Sequence, residues 1–362
     1  RETSKDQIKH PRVLFFGRLP AQGEVGGVTT FRFNIARKNF DLIAKVIDWY
    51  PAAVGKKLPP KTEVLFFNGN RPTAYFKLFL IHLKSGYLFH HNFSSIRGLL
   101  LVSLFFKKRK SKWLLTLHNG AQQKLYEQSN FISRFIYRRT LRRYDSVAAL
   151  SETQACFYRR LLTDPKKPVL FRSSPYVSLN QSSAKPAPIK TASPTCFLIS
   201  GFPTKIYRHL ETLDVFEKLW IAGHNFSLIL CLYGSDTDGI QKTIERRVDE
   251  LPFATRKSHL NSEDFQTELI KANLYIRMNS VDSFGLVVAE ALENKLQVIA
   301  TNVCERQPGT FLIEKDNFGL LNTVLDKYLR NEQIEKYLSV QESSDSVISF
   351  REIYSRTLSE QK

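Results

Sequence analysis

Cysteine is scarce in this chain of 362 residues. The four present, Cys156, Cys196, Cys231 and Cys304, are scattered and form no Cys-x-x-Cys pair. That spacing argues against structural zinc and against a disulfide scaffold, and it fits a reducing cytosol. Long apolar runs are also missing. The longest, Leu99–Phe106, is interrupted by Ser103 and is too short to cross a bilayer. No signal peptide is visible, and the chain opens at Arg1 without Met. No internal repeat is apparent. Acidic residues are few in the first half: residues 1–180 hold 32 Lys+Arg against 10 Asp+Glu, a net of +22. The remainder holds 21 and 24, a net of −3, and the two sum to the overall +19. A basic half joined to a near-neutral half implies a polyanionic partner of the first: an anionic membrane, a nucleic acid or an anionic glycan. No helix-turn-helix, zinc finger or RNP-type aromatic motif supports nucleic acid, which is not expected as a partner.

What is present describes a globular protein. The hydrophobic content is 43% and the aromatic content 12%, and the length suffices for two domains with separate cores. Val13–Phe16 reads as a strand, followed by a glycine-rich loop with Gly26 and Gly27 and a helix over Thr29–Arg37. Further strands are expected at Leu42–Val46, Val64–Phe67, Tyr87–Phe89, Trp113–Leu117 and Ser146–Leu150. Helices are expected at Thr73–Leu83, Ser94–Lys107 and Ile132–Arg143. Strand alternating with helix predicts an α/β fold with a parallel, doubly wound sheet. Ligands of such sheets bind at the carboxyl ends of strands. Those ends carry Asn68-Gly69-Asn70, His90-His91-Asn92, His118-Asn119-Gly120 and Ser151-Glu152.

A Pro- and Ser-rich stretch marks a linker, placed at 176–193 between a domain over 1–175 and one over 194–344. The strand Cys196–Gly201 opens the second domain, a helix over His209–Trp220 follows, and Leu228–Gly234 is the next strand. Asp236-Thr237-Asp238-Gly239 reads as a turn, and no metal is assigned to it. Residues 278–301 then read as a polar loop, a Gly turn at Gly285, a helix over Leu286–Asn294 and a strand at Val298–Thr301. That helix is apolar almost all round except for Glu290, which needs a partner in the protein or in a ligand. The free backbone N–H groups at Gly285 and Leu286 suit phosphate.

The run Asp282-Ser-Phe284-Gly285-Leu-Val-Val-Ala-Glu290-Ala291, with Val298–Thr301 after it, resembles the retaining GT-B glycosyltransferases of family 4. That family carries an acidic residue, seven residues and a Glu at this place. The first acid there is usually Glu; here it is Asp282, one methylene shorter. The resemblance implies two Rossmann-like doubly wound domains facing each other across a cleft that closes over the donor, with a final helix over 345–362 crossing back to the first domain. It implies that Glu290 binds the donor ribose, and that Asp282, Phe284, Gly285 and Leu286 meet the sugar and diphosphate. Gly26 and Gly27 would approach the donor phosphates or the acceptor. His118, at a strand end, would reach the transferred sugar, with Asn119 on the acceptor side and His90 and His91 either acceptor-side or structural. Family members show Gly-Arg and then Lys at the opening of the second domain. This chain has Gly201-Phe202, so Lys205 and Arg208 are the candidate bases for the diphosphate. The activity implied is metal-independent, retaining, hexosyl-type transfer from a UDP- or GDP-linked sugar, with no cofactor. The acceptor would be a glycan or a lipid-linked intermediate of cell-surface polysaccharide synthesis (O-antigen, capsule or lipopolysaccharide). The place would be cytoplasmic, peripheral on the inner face of a bacterial plasma membrane. The alternative is an inactive GT-B protein that binds sugar nucleotide or partner proteins.

The basic residues concentrate further within 97–143, which holds twelve Lys+Arg and one acid, Glu127, with Leu99–Val102, Phe105, Phe106, Phe131 and Phe135 interleaved. Bases bordering an apolar stripe predict docking on an anionic membrane surface.

Overall fold

A computed structural model of the chain describes residues 12–20, 27–49, 58–65, 71–118, 122–162, 168–174, 194–282, 285–342 and 347–359. Gly26, Asn119, Phe284 and the expected linker lie outside the described residues. Two compact units are present, each built on its own seven-stranded sheet.

The first unit alternates strand and helix as β1 (Val13–Phe16), α1 (Gly27–Lys38), β2 (Ile43–Asp48), β3 (Thr62–Val64), α2 (Arg71–His82), β4 (Leu88–Phe93), α3 (Gly98–Val102), β5 (Lys112–Leu117), α4 (Gln122–Glu127), α5 (Phe131–Leu141), β6 (Ser146–Ala149), α6 (Glu152–Leu161) and β7 (Val169–Arg172). Its strand order is β3-β2-β1-β4-β5-β6-β7, parallel throughout. Helices on both faces leave the central strands no wet side, so they read as continuous apolar runs. Trp113, Leu115, Phe89 and Val147 are fully buried in the resulting core.

Two expectations need correction here. The helix expected over Ser94–Lys107 forms only at α3; Leu104 and Phe106 then leave the core and are 70% and 67% exposed. The strand expected to stop at Phe89 runs on to Phe93, so His90, His91 and Asn92 lie within β4 and not on the loop after it. Their polarity suggested a strand end, but each is buried and hydrogen-bonded inside the unit, which lets a polar residue occupy a central strand.

The second unit runs β8 (Thr195–Gly201), α7 (His209–Ile221), β9 (Phe226–Leu232), α8 (Gln241–Asp249), β10 (Ala254–Ser258), α9 (Ser262–Lys271), β11 (Leu274–Arg277), α10 (Leu286–Glu293), β12 (Gln297–Thr301), β13 (Phe311–Ile313), α11 (Phe318–Leu329) and β14 (Ser339–Val340). The order is β10-β9-β8-β11-β12-β13-β14, parallel except for β14, which pairs antiparallel to β13. The last helix, α12 (Phe350–Ser359), packs in the first unit: the Tyr354 hydroxyl meets His90 Nδ1 at 2.8 Å, and Thr357 bonds Ser146 at 2.9 Å.

In each sheet the strand order reverses at one place, between β1 and β4 in the first unit and between β8 and β11 in the second. The connections leave those strand pairs in opposite directions, which opens a crevice at their carboxyl ends.

Candidate anion and nucleotide site in the second unit

At the reversal in the second unit, β11 ends on Arg277, a buried charge in an otherwise apolar strand. Five residues on, Asp282 returns to it: Arg277 Nε and Nη2 reach the two Asp282 oxygens at 2.6 and 3.2 Å. Arg306, on the turn after β12, adds Nη1 to Asp282 Oδ2 at 2.7 Å and anchors its own Nε on the Thr301 carbonyl at 2.9 Å. Burial alone would raise the Asp282 pKa; the two guanidiniums more than offset it and hold the carboxyl below the usual carboxylate range. Burial would likewise lower Arg277, and Asp282 reverses that effect. Among the described residues the cluster sets two guanidiniums against one carboxylate, one positive charge in excess.

Gly285 sits against this cluster with φ +59° and starts α10. A Cβ there would overlap Arg306 Nη1 and stand 3.1 Å from Asp282 Oδ2 and 3.3 Å from Arg277 Nε. Only glycine fits the turn, so the positive end of α10 and the two guanidiniums come together. One turn along α10, Glu290 is half-buried, and its carboxylate has no hydrogen bond or ion pair among the described residues. Burial, with a small contribution from Glu293, pushes its pKa up to about 7.

The facing strand end supplies aromatics. Tyr207 packs over Gly201, where any Cβ would collide with its ring. Phe202 stacks on Tyr207 at 5.8 Å and meets Tyr233 edge-on at 5.1 Å. The Arg277 guanidinium lies 5.2 Å from the Tyr207 ring centroid, a cation–π contact that fixes it from a second side.

The bases expected to meet a diphosphate lie differently. Arg208, at φ +55°, is engaged by Glu211 at 2.7 Å and Asp316 at 2.9 Å, two carboxylates on one guanidinium. Lys205 is exposed, and its backbone N–H donates to Asp238 Oδ2 at 2.7 Å. Asp236 accepts from the N–H groups of Ile240 and Gln241 at 3.0 Å each, which caps α8. Asp236 therefore serves its own turn, and Asp238 ties that turn to Lys205. Among the described residues no group of three or more His, Cys, Asp and Glu is placed to hold a metal ion.

In the first unit, the strand-order reversal gathers Arg32, Asn92 and His118. Arg32 Nε donates to Asn92 Oδ1 at 2.8 Å, and His118 Nε2 donates to the same oxygen. The His118 tautomer is thereby Nε2–H, which leaves Nδ1 as its acceptor. Burial, and then the charge of Arg32, hold His118 well below the ordinary histidine range, so it is neutral. His91 is part of the core. His82 Nδ1–H must donate to the Leu78 carbonyl at 2.7 Å, so its Nε2 accepts from His91 Nε2 at 2.9 Å, and His91 Nδ1 accepts the Tyr144 hydroxyl at 2.9 Å. His90 bonds Tyr354 and Thr116 at 2.8 Å each. Of the two readings open for this pair, the structural one fits these contacts. Arg277, Arg306 and Arg32 were not legible as site residues, and Asn92 stood only within the polar run His90-His91-Asn92. Arg277 left one signal, a charge inside an apolar strand.

The sequence matches no family model and no curated protein. Solved structures are similar in fold. The lipopolysaccharide outer core galactosyltransferase WaaB aligns at a TM-score of 0.58 with 11% identity, covering 90% of this chain and 93% of that one. HepE of Anabaena, in complex with UDP-glucose, aligns at 0.61 with 14% identity, covering 89% and 90%. TarM aligns at 0.54 with 15% identity over 81% of this chain, which spans about half, 55%, of TarM's length. Two Rossmann-like units with parallel-dominated sheets are the GT-B fold, and the chain adopts it.

Proposed function

We propose that this chain is a retaining glycosyltransferase. It would move a sugar of hexosyl type from a nucleotide-diphosphate donor to a glycan or lipid-linked acceptor in cell-surface polysaccharide synthesis, at the inner face of a membrane. The observation that carries the reading is the excess positive charge of Arg277 and Arg306 at the start of α10, at the strand-order reversal. A diphosphate leaving group gains charge as the glycosidic bond breaks, and preorganised donors aimed at it lower that barrier. Glu290, whose carboxylate has no partner among the described residues, would accept the ribose hydroxyls. His118, neutral and with Nδ1 unbonded among the described residues, is suited to a sugar hydroxyl and unsuited to donating a proton as imidazolium. Asp282 orients the two guanidiniums, and in this reading it acts on the donor through them. The leaving phosphate oxygen itself would take the proton of the attacking hydroxyl, so no protein base is required. No metal is part of the proposal.

The test is a panel of UDP- and GDP-sugars, scored by thermal stabilisation and by release of the nucleoside diphosphate with and without EDTA. One donor should stabilise the protein, since a ligand bound to the folded state alone raises its melting temperature by mass action. Product anomers should keep the donor configuration by NMR, and EDTA should change nothing. An inverted product, or loss of turnover in EDTA, overturns the mechanism. Phe202 stands where the family that the sequence resembles usually carries Arg, and this favours a second reading, a protein that binds nucleotide sugar without transferring it. Stabilisation with no turnover on any acceptor would select that one.

A further inference from the structure

The first unit carries an apolar surface that its fold does not use. Beyond α3 the chain turns, and Leu104 and Phe106 emerge 70% and 67% exposed. On the first turn of α5, Phe131, Ile132 and Phe135 are 78%, 69% and 57% exposed. The helical repeat puts Phe131, Phe135 and Arg139 in one row. Between the α3 exit and α5 lies an open groove of about 510 Å³, with Leu104, Phe106 and Phe135 on its walls and Lys107, Arg139 and Arg143 among its polar lining.

Those cations differ in how far they are neutralised. Lys107 is paired to Asp145 at 2.6 Å. Arg143 has no carboxylate partner among the described residues: it donates to the carbonyls of Val102, Ser103 and Phe105 and lies 4.8 Å from the Trp113 ring centroid. Arg139 has neither side-chain hydrogen bond nor ion pair among the described residues, and it is close enough to Arg143 to add to the burial that lowers that pKa. Two like charges thus share one groove. The only acid from Arg97 to Arg143, Glu127, is engaged by Gln123 at 2.7 Å. No helix among the described residues is long and apolar enough to cross a membrane.

We infer that this face docks on an anionic phospholipid bilayer. Leu104, Phe106, Phe131, Ile132 and Phe135 enter the boundary between headgroups and acyl chains, and a lipid phosphate lodges in the groove against Arg139 and Arg143. Charge complementarity selects this occupant. A second copy of the chain would bring another uncompensated basic face to the same place, and a neutral apolar partner would leave the two arginines unanswered. An aromatic and aliphatic wedge rimmed by bases is the arrangement that holds a peripheral segment at such a surface. The surface stands on geometry separate from the nucleotide site, so its fate does not depend on the donor reading.

The experiment is co-sedimentation of the full chain with phosphatidylcholine vesicles, with and without about a third phosphatidylglycerol. The wild type should bind the anionic vesicles only and lose binding as salt rises from about 0.1 to about 0.5 M. Phe106→Ser/Phe135→Ser should lower the partition coefficient about ten-fold or more. Arg139→Ser should lower it several-fold, and far-UV circular dichroism should show both variants folded. Equal binding to neutral vesicles overturns the inference. So does anionic binding that the aromatic variant leaves unchanged, since that is charge alone. Light scattering that shows a dimer abolished by the aromatic variant, with no vesicle binding, would give the face to a second copy of the chain.

Discussion

Arg277 grips Asp282 with two nitrogens, at 2.6 and 3.2 Å, from only five residues away. Both partners are largely buried, and Arg306 completes the cluster. Removing the central carboxylate would leave two guanidiniums facing a neutral group. Asp282→Asn should therefore destabilise the second unit by about 3–5 kcal/mol, the range for breaking a buried pair from one side. Urea denaturation measures this, and a saturating nucleoside diphosphate should recover part of the loss by supplying negative charge. A change below about 1 kcal/mol would mean that the triad does not order the site. The sign with pH follows from the depressed Asp282 pKa. Its stabilisation is present above the ordinary carboxylate value and is lost as pH falls from there toward the folded-state value.

The cations differ in what holds them: the buried Arg306 guanidinium is fixed on Asp282 Oδ2 and on the carbonyl and hydroxyl of Thr301, so it acts on a diphosphate by its preorganised charge. Arg208 is engaged by two acids, while Lys205 lies exposed on the surface. Arg306→Gln should lower turnover by about 10²-fold or more, in the range for removing one preorganised donor to a developing anion. Arg208→Ala and Lys205→Ala should each cost less than about ten-fold. Steady-state kinetics on the donor found in the panel would decide. The reverse order would return the phosphate role to Lys205 or Arg208.

Gly285 tests the site through the backbone. Gly285→Ala places a methyl group on Arg306 Nη1 at φ +59°, so both the turn and the cluster must shift. Strain of about 1–3 kcal/mol is expected, with donor affinity falling more than stability. Equal affinity in the variant, measured by calorimetry, would separate the glycine from the ligand.

Much of the second unit was readable because its elements are locally consistent. The apolar run of α10, the β-branched strand after it and the glycine between loop and helix all point to one strand-turn-helix-strand unit. The carboxylate at Glu290 stood out for the same reason, as a polar exception in an apolar stretch. The second partner of Asp282 was not readable, because Arg306 lies 24 residues away and comes to it with the pairing of β11 and β12. In the first unit, the histidines of β4 looked like a strand end because sequence polarity does not say whether a group is solvated or satisfied inside. His82, Tyr144 and Tyr354 satisfy them from separate elements. Phe106 was grouped with Leu99 and Val102 in one helix, yet the chain turns after α3 and takes Phe106 to the surface.

Asn92 Oδ1 accepts from both Arg32 and His118 and so links those two groups. Asn92→Leu should destabilise the first unit by about 2–4 kcal/mol, because two buried donors lose their acceptor. Asn92→Asp should instead raise the His118 pKa by placing a carboxylate beside it. NMR titration of the histidine ring protons reads this directly. An unchanged His118 in Asn92→Asp would show that the hydrogen bond does not govern its protonation.

Glu290 gives the prediction with the clearest sign. Its folded-state pKa of about 7 exceeds the ordinary value of 4.5, so between those limits the folded chain holds a proton that the unfolded chain releases. Stability should therefore fall as pH rises through that window, by up to about 3 kcal/mol, since a tenfold difference in proton affinity between the two states is worth about 1.4 kcal/mol. Glu290→Gln, which cannot ionise, should remove this slope and be the more stable protein at pH 8. Ligand binding should run the other way. A ribose held by the carboxylate calls for the ionised form, so donor affinity in the wild type should rise from pH 6 to pH 8. Glu290→Gln should bind about 1–3 kcal/mol more weakly at pH 8 and show little pH dependence. Melting curves and calorimetry over the same pH range measure both effects. A variant that is less stable than the wild type at pH 8 and binds nucleotide as well would mean that Glu290 is satisfied inside the fold and has no part in holding the donor.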